Sequence, residues 1–437
     1  MLQRVLTAAG ALAGLALLTG SGFAQEAAPG PTRIIHAGRL LADPATGRVL
    51  TEQSIIVGAD GRIVGIEAGY VTRDGAEIID QRNRFVLPGL IDSHVHLTSE
   101  LGPNQIIEEV TLTAADGAMR GVQNARTTLN AGFTTVADLG AANDAIFALR
   151  RAIAEGRVPG PRIIASGSAI TPDGGHGDVA GFSPDVNDAL RSPSACSGAD
   201  ACRRAVRRQI QAGADVIKIT ATGGVLSNTA AGVEQQFSDE ELAAIVDAAH
   251  AMGRRVTAHA HGAGGINAAL RAGVDSIEHG SYTDAESLRL FRRNRAYLVP
   301  TILAGVTVEE MAATGGVLTP AQAEKAREVG TRMRQSIQNA RRAGVLVAYG
   351  TDSGVSRHGV NAREFQFLVE GGYTPAQAIR LATVDAADHL QLNGVAGRIA
   401  PGYSADIIAV DGDPTQDVAT LMNVPFVMAR GVTHKSE

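Results

Sequence analysis

Apolar positions along this chain follow three successive rhythms. Residues 33–86 carry short alternating runs separated by turn signals: Ser54-Ile55-Ile56-Val57-Gly58, then Ala59-Asp60-Gly61, then Arg62-Ile63-Val64-Gly65-Ile66. Alternation on both sides of an Asp-Gly pair predicts a β-meander with a tight hairpin. Over residues 87–395, short buried-type runs alternate with helical segments. The predicted strands are Phe85–His96, Phe133–Asp138, Arg162–Ile170, Val216–Thr222, Arg255–His261, Ser276–His279, Ala296–Thr301 and Val345–Asp352. Helices such as Asp239–Met252 and Thr319–Ala343 are predicted between them. Strands alternating with helices in this way predict an α/β fold, a (β/α)8 barrel rather than an open sheet. Residues 396–437 return to short strand runs, Asp406–Val410 and Pro425–Ala429 among them. Both chain ends are therefore expected to meet as one small β-sandwich domain.

Two stretches break these rhythms. Residues 1–24 hold one charge, Arg4, then an apolar run from Val5 to Leu18 and small residues ending Gly22-Phe23-Ala24. That is the pattern of a secretory signal cut near Ala24, so a secreted or periplasmic location is expected, with no membrane association after cleavage. From Thr171 to about Cys202 the chain is rich in Gly, Pro, Ser and Asp. A long aperiodic connection following a strand is expected to lie over the C-terminal face of the barrel, where such folds keep their chemistry.

Composition narrows the classes. Hydrophobic residues make up 45% of the 437 residues and the net charge is −6, which lacks the basic footprint of a nucleic-acid binder. The two cysteines, Cys196 and Cys202, have no Cys or His at zinc-site spacing around them. In an exported protein they form either a local disulfide or two free thiols.

Candidate chemistry gathers near strand ends. His94 and His96 end the first predicted strand, and residues i and i+2 of a strand face the same side, so both imidazoles can reach one ion. Lys218 interrupts the apolar run Val216-Ile217-Lys218-Ile219. His259, His279 and Asp352 sit at the ends of the fifth, sixth and eighth strands. Singly, each reads as a satisfied polar residue; their joint placement points to a metal site.

This arrangement resembles the amidohydrolase superfamily over nearly the whole chain after residue 24. The resemblance rests on Val86–Leu97, Lys218, His259, His279, Gly350-Thr351-Asp352 and the closing segment Gly397–Asp406. It is strongest to imidazolonepropionase-like and prolidase-like members that cleave dipeptides and N-acyl amino acids, hydrolases of ochratoxin A included. The resemblance implies two divalent ions, zinc by ligand type, with His94, His96 and Asp352 on one and His259 and His279 on the other. It further implies that Lys218 bridges them as a CO2-derived carbamate, that a hydroxide between the metals attacks, and that Asp352 acts as general base and then acid. For Lys218 the physics agrees, because burial in an apolar strand lowers an amine's pKa and leaves it free to react. Catalysis would thus fall to Asp352, Lys218 and His279, and substrate contacts to His176, His261, Ser227 and Tyr282, with Arg357 and Arg363 available to a carboxylate. A homo-oligomer acting on a small molecule or short peptide is expected. Two alternatives stay open: a cyclic amide or lactone hydrolase or a deaminase on the same scaffold, and a periplasmic zinc-binding protein without turnover.

Overall fold

The computed structural model describes residues 32–179, 181–227 and 232–437. The predicted signal segment lies outside them. Among the described residues no helix is long and apolar enough to cross a membrane.

Strands from both ends of the chain form one seven-stranded sheet, in the order Val432–Ser436, Phe426–Ala429, Ile407–Val410, Glu77–Pro88, Arg33–Leu40, Leu50–Val57, Ile63–Ala68. The N- and C-terminal halves join where Ile407–Val410 runs antiparallel to the last residues of Glu77–Pro88. The far edge folds back, with Ile63 N donating to Tyr403 O at 2.9 Å. A common core of Ile35, Leu40, Ile55, Val86, Ile407 and Phe426 fills the enclosed side, which the alternation in both terminal segments supplies.

The barrel strands run in sequence order: Leu90–Val95, Phe133–Asp138, Arg162–Ala165, Ile217–Thr220, Val256–Ala260, Ser276–His279, Tyr297–Val299 and Leu346–Val347. Neighbours pair in parallel as one group of three and one of five. Two seams close the ring. Ile170 bridges to Ile219 between the third and fourth strands, and Val95 bridges to Ser353 between the first and eighth. Asp352 N also donates to His94 O at 2.7 Å across that second seam.

Phe133–Asp138 and Ser276–His279 keep their predicted bounds; the other six predicted strands are shorter or divided, three of them instructively. Phe85–His96 splits at Gly89, so that Glu77–Pro88 serves the terminal sheet and Leu90–Val95 the barrel. Pro88 brings no N–H, and a side chain at Gly89 would run into Thr134, which explains the change of sheet there. Arg162–Ile170 is interrupted by Gly167 at φ 66°, and the eighth strand keeps only Leu346–Val347. Helices agree more closely: Asp239–Ala251 and Pro320–Ala343 each begin after a capping box, from Ser238 and Thr319. The segment 171–202 is not structureless. It holds a short Pro184–Leu190 helix, and a disulfide joins Cys196 to Cys202 at its end.

Candidate active site

Strand geometry brings all six proposed ligands to one cavity on the barrel's C-terminal side. The His94 and His96 rings lie 5.3 Å apart, and their Nε2 atoms are 3.4 and 3.1 Å from Asp352 Oδ1. Lys218 Nζ, 4% exposed, lies 3.5 Å from His94 Nε2. The His279 ring is 5.3 Å from that of His94 and 4.6 Å from that of His259, the sixth. Backbone strain marks the same spot. His279, Thr301 and Asp352 adopt φ of 69°, 47° and 57°, a conformation that side-chain-bearing residues seldom take outside over-determined sites.

The outer nitrogen of most of these imidazoles is held, which aims the other one inward. His96 Nδ1 lies 2.9 Å from Gly140 O, His279 Nδ1 2.7 Å from Thr301 Oγ1, and His261 Nδ1 2.7 Å from Ser281 Oγ. His94 Nδ1 lies 2.8 Å from Glu278 Oε2, within ion-pair distance but without hydrogen-bond geometry. Burial holds His94, His259 and His279 well below the usual imidazole range, so they are neutral donors. Burial likewise lowers the Lys218 amine. For Asp352, burial favours the acid, but His94, His96 and Lys218 outweigh it and keep the carboxylate charged.

These residues fit divalent metal. Asp352 Oδ1 is buried with no hydrogen-bond donor, although it faces two imidazole nitrogens. Two sets of ligand atoms each converge within 4.8 Å: His94, His279 and Asp352, and His259, His261 and His279. His261, read from the sequence as a substrate contact, is thus a member of the second set, its ring stacked on His279 at 4.9 Å.

The site opens into a cavity of about 600 Å³ lined by His94, His96, His176, Lys218, His259, His261, His279 and Asp352. His176 reaches it from the long third-strand loop, with its ring 4.2 Å from His259 and its pKa pushed down to about 4 by burial and Lys218. Ser227 and Tyr282 are not among the lining residues. Ser227 Oγ donates to Gly224 O, and the Tyr282 ring lies under the Arg332 guanidinium. Arg357 and Arg363 are also off the cavity wall, Arg363 being paired with Glu310. Arg120, which the motif reading passed over, is on the wall and pairs with Glu108 at 2.8 Å.

Glu278 is the principal residue missed. Fully buried, it lies against His94 and accepts hydrogen bonds from Thr257 and Ser276. Alternation along a strand would set it opposite His279, but the left-handed φ of His279 brings both toward His94. The available signal was weaker than the one that singled out Lys218: an acid directly before a strand-end histidine, in Ser276-Ile277-Glu278-His279.

The sequence profile of the amidohydrolase family matches residues 85–433. Ochratoxinase from Aspergillus niger is 32% identical over 425 residues, spanning 92% of this chain and 84% of that protein. A crystal structure of a Xaa-Pro dipeptidase with bound methionine in its active site superposes with a TM-score of 0.87. It is 37% identical, and the match covers 93% of this chain and all of that one. A prolidase complexed with N-methylphosphonate-L-proline superposes with a TM-score of 0.84 at 32% identity, covering 93% and 100% of the two chains.

Proposed function

The chain belongs to the amidohydrolase family and hydrolyses amide bonds, and from that premise we propose that its substrate is an amide to a C-terminal amino acid, in a dipeptide or an N-acyl amino acid such as ochratoxin A. The observation that carries this reading is the buried, donorless Asp352 Oδ1 facing His94 and His96 beside Lys218. An ochratoxinase and two prolidase-type enzymes among the similar proteins support the substrate class.

His94, His96 and Asp352 would hold one ion and His259 and His279 the other. Lys218, whose ammonium form burial disfavours, would add a further ligand as a carbamate formed with CO2. Divalent metal bound there, zinc by ligand type, supplies a Lewis acid for the carbonyl and lowers the pKa of water toward about 7. The protein's own groups do the rest. The Asp352 carboxylate takes a proton from the attacking water as the C–O bond forms, then returns it to the amine nitrogen as the C–N bond breaks. His176, neutral and on the cavity wall, orients the carbonyl or the substrate carboxylate. His261 keeps to the wall beside His259 and His279, where it contacts the substrate.

The test is metal content per chain after purification with zinc and bicarbonate, together with amino-acid release from dipeptides and N-acyl amino acids. Two ions per chain and release that vanishes in Lys218→Ala are the expected results. One ion or none, with Lys218→Ala as active as the parent, would remove the lysine carbamate and the two-metal reading together.

A further inference from the structure

Two helices and one loop build a continuous apolar surface over the histidines of the fifth and sixth strands. Gly305 and Val308 come from the Ile302–Thr314 helix, Val329 and Met333 from Pro320–Ala343, and Val225 and Leu226 from the loop after the fourth strand. All six line the cavity. The Ile302–Thr314 helix is buried without a break from Ile302 to Val308, and its one polar residue there, Thr307, donates its hydroxyl to Leu303 O. The two helices approach closely at Gly305, where a Cβ would stand 2.7 Å from Met333 Sδ; the thioether is thereby seated on the glycine.

The loop is fastened to the second helix across the barrel mouth. Lys325 Nζ donates to Gly224 O at 2.9 Å and to Ser227 O at 2.6 Å, and Gln322 Nε2 donates to Leu226 O. These bonds join the fourth-strand side of the mouth to the seventh-strand side. The surface is therefore a roof over the cavity rather than two separate patches.

Charge is distributed unevenly around the cavity. Glu100, Glu108 and Glu109 line the wall that follows the first barrel strand, and Arg120 neutralises only Glu108. A substrate carboxylate is repelled from that wall. Toward the roof stand His176 on the wall and, behind it, the Lys325 ammonium held by Gly224 O and Ser227 O.

Resting on the amide-hydrolase reading above, we infer that the leaving amino acid binds beneath this roof with its side chain on Leu226, Val308 and Met333, and that the enzyme selects large apolar C-terminal residues over glycine and over Asp or Glu. The acyl half then lies toward Glu100 and Glu109. Removing a few methylenes from such a subsite is worth roughly ten-fold or more in discrimination.

The experiment measures kcat/KM on the zinc- and bicarbonate-loaded enzyme. Its substrates are dipeptides with a common first glycine and Phe, Met, Gly or Glu in last place, and the reverse series with a common last glycine. Parent enzyme is expected to favour Phe over Gly in the last position by about ten-fold or more, with a weaker dependence on the first position. Met333→Ala, and Leu226→Asp on the half-buried loop, should each lower that Phe/Gly ratio about ten-fold at unchanged metal content. A ratio that both variants leave within two-fold of the parent, or a preference that follows the first residue, overturns the subsite while leaving the hydrolase reading intact. A parent enzyme that binds metal but releases nothing from either series or from N-acyl-phenylalanine overturns both.

Discussion

Glu278 Oε2 lies 2.8 Å from His94 Nδ1, and neither residue is reached by solvent. If His94 ligates metal as proposed, a carboxylate this close raises the ring's basicity, and such partners are worth roughly ten- to a hundred-fold in affinity or activity. Glu278→Gln should keep the shape and the Thr257 contact but lose the charge. It is expected to weaken metal binding on the order of ten-fold and to lower kcat in proportion when metal is limiting. Titration with a competing chelator checks this. Metal affinity equal to the parent's would leave Glu278 as a purely structural acid.

A second expectation concerns Gly224. A Cβ at this position would stand 2.5 Å from His176 Cε1. Gly224→Ala therefore displaces the imidazole without removing it, and a shift of about an ångström at a substrate-orienting group can cost on the order of a hundred-fold. The expected result is a kcat/KM loss similar to that of His176→Ala, with metal content unchanged. If His176→Ala is as active as the parent, His176 is only a lining residue.

These two cases mark the limits of what the residues alone made legible. His94 and His96 could be paired because a strand repeats every two residues, and their shared approach to Asp352 Oδ1 follows from that period. Lys218, His259 and His279 were legible because a polar residue in an apolar strand has few ways to be satisfied. Glu278 was hidden by a local left-handed turn at His279, which no periodicity predicts. The outer partners of the histidines were hidden differently: Thr301, Ser281 and Gly140 are ordinary residues made specific by tertiary position. Ser227 and Tyr282 were placed by nearness in sequence to the strand ends, yet a hydrogen bond to Gly224 and the contact with Arg332 engage their side chains away from the cavity wall. The apolar roof read as ordinary core, since helix periodicity distinguishes buried from exposed faces but not a core from a cavity wall.

Acid should destabilise the fold through His389. It is buried beside Tyr297, and burial together with Arg255 pushes its pKa down to about 4, although Glu278 and Asp388 act the other way. In the unfolded chain it titrates near 6.5. The folded state therefore binds fewer protons between these values. Its stabilising contribution is complete above about pH 6.5 and is lost as pH falls through about 4, for a total of at most roughly 3 kcal/mol. His389→Phe should flatten the dependence of unfolding free energy on pH across that window. An identical slope in parent and variant, by denaturant titration at several pH values, would contradict it.

The junction between terminal sheet and barrel supplies the last prediction. At Gly89 the chain leaves one sheet for the other, and an added Cβ would come within 2.8 Å of Thr134 Cβ and nearer still to the rest of that side chain. Thr134 is buried on the second barrel strand, so it cannot move without disturbing the pairing of Leu90 with Phe133. Overpacking of this kind costs about 1–3 kcal/mol. Gly89→Ala should accordingly lower the melting temperature, and Thr134→Ala added to it should recover part of the loss, because the methyl and hydroxyl that obstruct the new Cβ are then gone. A double-mutant cycle measures that recovery as a coupling energy between residues in contact. If the two changes are simply additive, the clash is not what makes glycine necessary here. The change of sheet would then rest on the backbone, where Gly89 N still donates to Asp406 O in the terminal sheet and Leu90 N already donates to Gly132 O in the barrel.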